Sequence, residues 1–127
     1  EPEDYVIATG VTTPVREFVR MAFAEVGLEL EFKGKGEKET GIVAASTNPA
    51  CPVKPGTKVL EVDSRYYRPT EVDLLIGDAS KAHKKLGWRP KYDLPMLIKE
   101  MVLADVDLFR QEKVLKESGF YVKNQYE

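Results

Sequence analysis

The chain has 127 residues, of which 43% are hydrophobic and 31% charged, and its net charge is −2. That balance suits one domain with a core of its own and argues against bulk attraction to nucleic acid or an anionic membrane. No apolar run approaches the roughly 20 residues of a membrane helix, no signal peptide is visible, and the lone Cys51 excludes an internal disulfide and fits a reducing cytoplasm.

Tyr5 to Ala8 is a short apolar run with strand character, closed by Thr9-Gly10. Thr12 or Thr13 is placed to cap a helix beginning at Pro14, where the missing N–H costs nothing. Val15, Phe18, Val19, Ala22, Phe23 and Val26 follow at helical spacing along one stripe, with Gly27 as a C-terminal cap. A strand, a tight loop and a core-packed helix make the α/β repeat of doubly wound sheets. Leu28 to Phe32 alternates apolar and charged residues, as a half-buried strand does. Lys33 to Glu39 is a polar, glycine-broken turn; its Gly-x-Gly lacks a third glycine and a strand-to-helix setting, so it is no phosphate cradle. Gly41 to Ala45 is a further strand. Ser46 to Thr57, with Asn48-Pro49, Cys51-Pro52 and Pro55-Gly56, is a rigid surface loop. Cys51 has no neighbouring base and reads as an inert loop thiol.

Lys58 to Val62 is a strand-like run that leads into Asp63-Ser64-Arg65-Tyr66-Tyr67-Arg68-Pro69-Thr70-Glu71-Val72. In extended backbone, positions three apart face opposite sides, so Arg65 and Arg68 point different ways and one faces any given pocket. Pro69 fixes one φ angle and biases Arg68 away from the helical region. Glu71 falls on the turn that Pro69 begins. A guanidinium fork matches phosphate oxygens, and a carboxylate accepts from ribose hydroxyls, so Arg68 and Glu71 could grip two parts of a nucleotide. The plainer reading, a solvated ion pair beside a turn, stands next to it. Arg65 and Tyr67 are further candidates for contact with the nucleotide or with a neighbouring subunit, with a structural role at least as open to both.

Asp78 is a good N-cap for a helix over 79–86, and Gly87 ends it. Trp88 is expected to cover the end of the core. His83 sits among Lys81, Lys84 and Lys85 on a face read as solvated, with no second ligand at metal spacing. Asp93 caps a last long helix with Pro95 in its tolerant first turn. Leu94, Leu97, Ile98, Met101, Val102, Leu108, Phe109 and Leu115 keep to helical spacing, and Gly119 can stop the helix. The tail from Phe120 to Glu127 is expected to depend on contacts for its order.

Four strings carry a resemblance by their order and spacing: Asp4-Tyr5-Val6-Ile7-Ala8-Thr9-Gly10, Val15-Arg16-Glu17-Phe18-Val19, Arg65-Tyr66-Tyr67-Arg68-Pro69-Thr70-Glu71-Val72 and Gly77-Asp78-Ala79-Ser80-Lys81-Ala82. With Leu86-Gly87-Trp88 they make the chain similar to the C-terminal part of extended short-chain dehydrogenases/reductases acting on nucleotide sugars, and within them to the GDP-mannose 4,6-dehydratase family. The resemblance implies an α/β fold: a partial C-terminal substrate-binding region of a Rossmann-type enzyme, with short strands and three main helices, residues 1–127 forming one segment. It implies that the whole enzyme converts GDP-mannose to GDP-4-keto-6-deoxy-mannose and water, towards GDP-fucose, in the cytoplasm and as a homo-oligomer. NADP and the catalytic residues would then belong to an N-terminal Rossmann domain absent from this chain, since neither a Gly-x-Gly-x-x-Gly helix start nor a Tyr-x-x-x-Lys pair in a plausible active-site helix occurs here. The chain starting at Glu1-Pro2-Glu3 agrees with a piece of that enzyme. The resemblance implies, through the family's Arg-Pro-x-acidic string, that Arg68 would bind the pyrophosphate and Glu71 the ribose.

Two departures limit the parallel. Pro14 stands where relatives commonly place a small polar residue, and no role is assigned to the loop from Ser46 to Lys58. The expectation is a substrate-binding segment, inactive alone, that exposes apolar surface where its partner domain docks. The alternative is a self-sufficient nucleotide-sugar or protein-binding module. No constellation supports an independent hydrolase or metalloenzyme.

Overall fold

The computed structural model describes residues 2–68 and 75–122. Helix α1 spans Val15–Glu25 and is followed by strand β1, Leu28–Lys33, and strand β2, Thr40–Ser46. Strand β3 covers Lys58–Glu61, helix α2 Ser80–Leu86 and helix α3 Leu94–Glu117. A single 3-10 turn at Gly36–Lys38 lies in the β1–β2 connection.

The strands form one antiparallel sheet in the order β1-β2-β3, with Leu30 opposite Val43 and Gly41 opposite Leu60. The alternation read in the sequence is what positions it: Leu28, Leu30 and Phe32 turn inward, while Glu29, Glu31 and Lys33 face out. Short consecutive strands joined by turns pair antiparallel, so the expected parallel α/β repeat does not occur among the described residues. Val43 leaves the ladder to β3 and bonds instead to the end of the preceding loop, its N–H to the Thr57 carbonyl at 2.9 Å and its carbonyl to the Gly56 N–H at 2.8 Å.

Helix α1 packs on β1 and on α3. Its end is locked by the loop after β2. Gly27 has a φ of +78° and donates to the Ala24 carbonyl at 2.9 Å. Its own carbonyl accepts from the Thr47 N–H at 2.8 Å, and Asn48 Nδ2 donates to Val26 O at 3.1 Å. At the other end the expected threonine cap is absent. Pro14 is the N-cap and its carbonyl accepts from Glu17 and Phe18, whereas Thr12 Oγ1 is spent on the Leu75 carbonyl at 3.1 Å.

Helix α3 begins as its sequence predicts, with Asp93 Oδ1 accepting from the Met96 N–H at 2.9 Å and a proline in the first turn. It ends in a Schellman arrangement: Gly119 N–H donates to Lys116 O and Phe120 N–H to Leu115 O. Asp78 does bond to the start of α2, accepting from Ser80 N–H at 2.9 Å, although the helix begins at Ser80.

The core is small. Leu28, Val43, Ala79, Ala82 and Ile98 are its buried residues, and no polar residue is buried with them among the described residues.

Tyr5 to Ala8, expected as a strand, is extended but unladdered. No strand lies beside it among the described residues, and a strand exists only through a neighbour's hydrogen bonds. It is held instead by side chains along 75–85. Lys81 Nζ donates to Asp4 O at 2.9 Å and lies 4.8 Å from the Tyr5 ring centre, and Lys81 and Lys85 both pair with Glu3. Gly77 passes so close that a Cβ there would stand 2.6 Å from Ala8 Cβ. His83 also departs from expectation. It is half-buried, stacked on Trp88 at 5.7 Å with its Nε2 shut away from solvent, because the chain after α2 folds the indole back over it.

Candidate functional site

The segment that leaves β3 is shaped by Asp63. The Asp63 carbonyl accepts from Tyr66 N–H at 3.0 Å, and Asp63 Oδ1 accepts from Arg65 N–H at 2.9 Å, closing a side-chain-stabilised turn. The same carboxylate takes the Arg65 guanidinium, with Nη2 to Oδ2 at 2.6 Å and Nε to both oxygens at 3.1 Å. These bonds hold the Asp63 carboxyl below the usual carboxylate range and push Arg65 above its own ordinary value. Arg65 further lies 5.7 Å over the Tyr66 ring. Its fork is therefore occupied within its own turn.

Tyr67 leaves in a different direction and reaches the β1–β2 hairpin. Its hydroxyl lies against Gly36, where a Cβ would be 2.9 Å from the oxygen. The residue is 40% exposed. Arg68 follows, exposed, and makes no hydrogen bond or ion pair with any described residue. Glu71 lies outside the described residues. Both arginines are exposed, and what distinguishes them is that Arg65 is paired with Asp63.

Exposed apolar surface was expected, but its place was not read from the sequence. An open groove of about 670 Å³ runs between the segment before α1, the start of α1 and the start of α3. Val11, Val15, Phe18, Met21, Leu94 and Leu97 give it apolar walls. Val15 and Leu97 fall at core positions by helical spacing, yet Val15 is 78% exposed and Leu97 is exposed too. Periodicity marks an apolar face without saying what covers it. The one available signal was that Val11 adds an apolar residue ahead of the helix. None of Arg65, Tyr67 and Arg68 lines this groove.

Elsewhere the surface is knitted by ion pairs. Arg16 on α1 grips Glu39 through Nε and Nη2, the latter to Oε2 at 2.7 Å, and lies 5.7 Å over the Phe32 ring, tying the helix to the hairpin. Among the described residues no three His, Cys, Asp or Glu side chains converge as metal ligands. No helix is long and apolar enough to cross a membrane among them. Cys51 is a half-buried free thiol in the loop after β2.

The sequence model of a family described as GDP-mannose 4,6 dehydratase matches residues 1–101. A GDP-mannose 4,6-dehydratase of Yersinia enterocolitica is 47% identical over 123 residues, which is 96% of this chain and 33% of that protein. Its counterpart in Sinorhizobium fredii is 50% identical over 109 residues, 86% of this chain and 28% of the relative. A human GDP-mannose 4,6 dehydratase is 46% identical over 110 residues, 87% of this chain and 27% of the relative. The chain spans between about a quarter and a third of the length of the curated relatives it matches.

Proposed function

The chain belongs to the GDP-mannose 4,6 dehydratase family, and from that premise we propose that it is the substrate-binding portion of an enzyme converting GDP-D-mannose to GDP-4-keto-6-deoxy-D-mannose and water. Its task is to hold the nucleoside diphosphate while the sugar reacts. Arg68 takes the pyrophosphate, and Glu71 takes the ribose hydroxyls. A single observation carries the choice of Arg68 over its neighbour: the Arg65 guanidinium is consumed by Asp63, whereas that of Arg68 engages no described residue. A guanidinium fork presented to solvent matches two phosphate oxygens at once.

The dinucleotide NADP, which such a reaction requires for its passage through a 4-keto sugar, does not fit the residues of this chain. The one Gly-x-Gly, Gly34-Lys35-Gly36, sits in an antiparallel hairpin turn, and Tyr67 covers the second glycine where a pyrophosphate would have to approach. NADP binding and the proton-transfer groups are therefore assigned to the two thirds or more of the family's length beyond this chain, in a Rossmann domain. The same remainder is assigned the groove beside α1 and the open run Tyr5–Ala8, whose Val6 and Ile7 are exposed. The assembled enzyme is cytoplasmic and forms a homo-oligomer.

The test is kinetic and uses the full-length enzyme. Replacing Arg68 by alanine removes a charge-assisted phosphate contact and is expected to cost roughly 2–4 kcal/mol in kcat/KM for GDP-mannose. An unchanged KM and rate would sink the assignment. A stand-alone nucleotide-sugar module is the competing reading. Calorimetry of residues 1–127 with GDP-mannose decides against it if the segment alone binds no nucleotide.

A further inference from the structure

The contact between Gly36 and Tyr67 joins the hairpin turn to the segment that carries Arg68. Gly36 has a φ of +58°, in the left-handed region. A methyl group there would stand 2.9 Å from the Tyr67 hydroxyl and 3.4 Å from Cζ. The hydroxyl, at the end of an exposed side chain, therefore approaches the turn at a residue with no Cβ, and an added Cβ would have to push it aside. At the other end of the same short segment, Asp63 fixes the chain through the Arg65 and Tyr66 amides. Arg68 follows Tyr67 directly, so two anchors set the backbone from which its guanidinium projects. Two anchors four residues apart leave little freedom to what lies just beyond them.

We propose that Gly36 is a positioning residue for the nucleoside diphosphate: by seating Tyr67 it fixes the backbone of Arg68 and so aims that guanidinium at the phosphates. The inference rests on the reading that Arg68 is the diphosphate ligand. It makes a turn glycine, remote in sequence from the Arg-Pro string, part of the substrate site.

Steady-state kinetics of the full-length enzyme with GDP-mannose test it. Gly36→Ala is expected to raise KM about tenfold with kcat held within about twofold, the mark of lost binding rather than lost chemistry. Gly36→Asn, whose side chain tolerates the left-handed backbone but still carries a Cβ, is expected to raise KM in the same way. Tyr67→Phe removes the atom that the new methyl group meets. The double variant Gly36→Ala/Tyr67→Phe should therefore have the KM of Tyr67→Phe alone. Two results overturn the proposal: a wild-type KM for Gly36→Ala and Gly36→Asn, or a rise just as large in the Tyr67→Phe background, which would mean that turn strain and not Tyr67 is responsible. Failure of the reading beneath it looks different. Arg68→Ala would then leave KM unchanged, whatever the glycine variants do, and the proposal would fall with it.

Discussion

Gly27 shows how much a single position can hold. A Cβ there would stand 2.8 Å from Asn48 Cβ and 3.0 Å from Thr47 Oγ1, and the backbone is already left-handed. Both penalties act together, so Gly27→Ala should lower unfolding stability by roughly 2–3 kcal/mol, read from urea denaturation of the full-length enzyme. A change under about 0.5 kcal/mol would mean that the loop after β2 yields freely. At this scale the sequence was legible wherever a residue type has one common use. Gly27 and Asp93 announce their caps by chemistry alone. It was not legible where two uses compete: Thr12 has the chemistry of a cap but finds the Leu75 carbonyl, a partner that local spacing cannot reveal. Arg68 was singled out by the proline after it, whereas the pairing of Arg65 with Asp63 depends on a turn that spacing alone does not show.

Elements follow the same logic one level up. The strands β1 and β2 were readable because alternation and a glycine-rich turn specify a hairpin with little outside help. Tyr5 to Ala8 has equal strand propensity and forms none among the described residues, since a strand is a property of a pair. Helix α3 was legible along its length, from the Asp93 cap to Gly119, but not in its two faces. Ile98 is buried, while Met96, Leu97 and Met101 on the same helix remain open. Asp93→Ala removes the bond to Met96 N–H and should destabilise the fold by about 1 kcal/mol, seen as a small loss of Tm by circular dichroism. Asp93→Asn or Asp93→Ser should retain most of it, because either side chain can accept the same bond. If alanine is as good as asparagine, the cap is ornamental and α3 is held by packing on α1 alone.

Across the described residues, few are fully buried and much of the tying is done by charge. Glu3, Glu39, Asp63 and Asp78 all have carboxyls held below their ordinary values, chiefly by hydrogen bonds from Lys85, Arg16, Arg65 and Ser80 respectively. A carboxylate whose folded pKa is depressed contributes stability above its unfolded pKa, near 4, and loses it as pH falls through the folded value. Tm is thus expected to stay level between about pH 7 and 5 and to fall progressively below about pH 4, with a shallower slope in high salt. A Tm unaffected between pH 5 and 3 would show that these pairs contribute nothing. The overall architecture was only half readable from the chain. The hairpin and helices came from local pattern, whereas the antiparallel sheet and the open groove depend on how elements meet and on what lies beyond them.

The stacking of His83 on Trp88 has a practical corollary. The chain contains one tryptophan and one histidine, and they are in contact across the end of α2. Tryptophan emission from this segment, excited selectively over its six tyrosines, therefore originates at a known spot, beside a ring able to quench it. Brightening or a red shift on dilution into denaturant would time the parting of α2 from the chain behind it, with no dye or label attached.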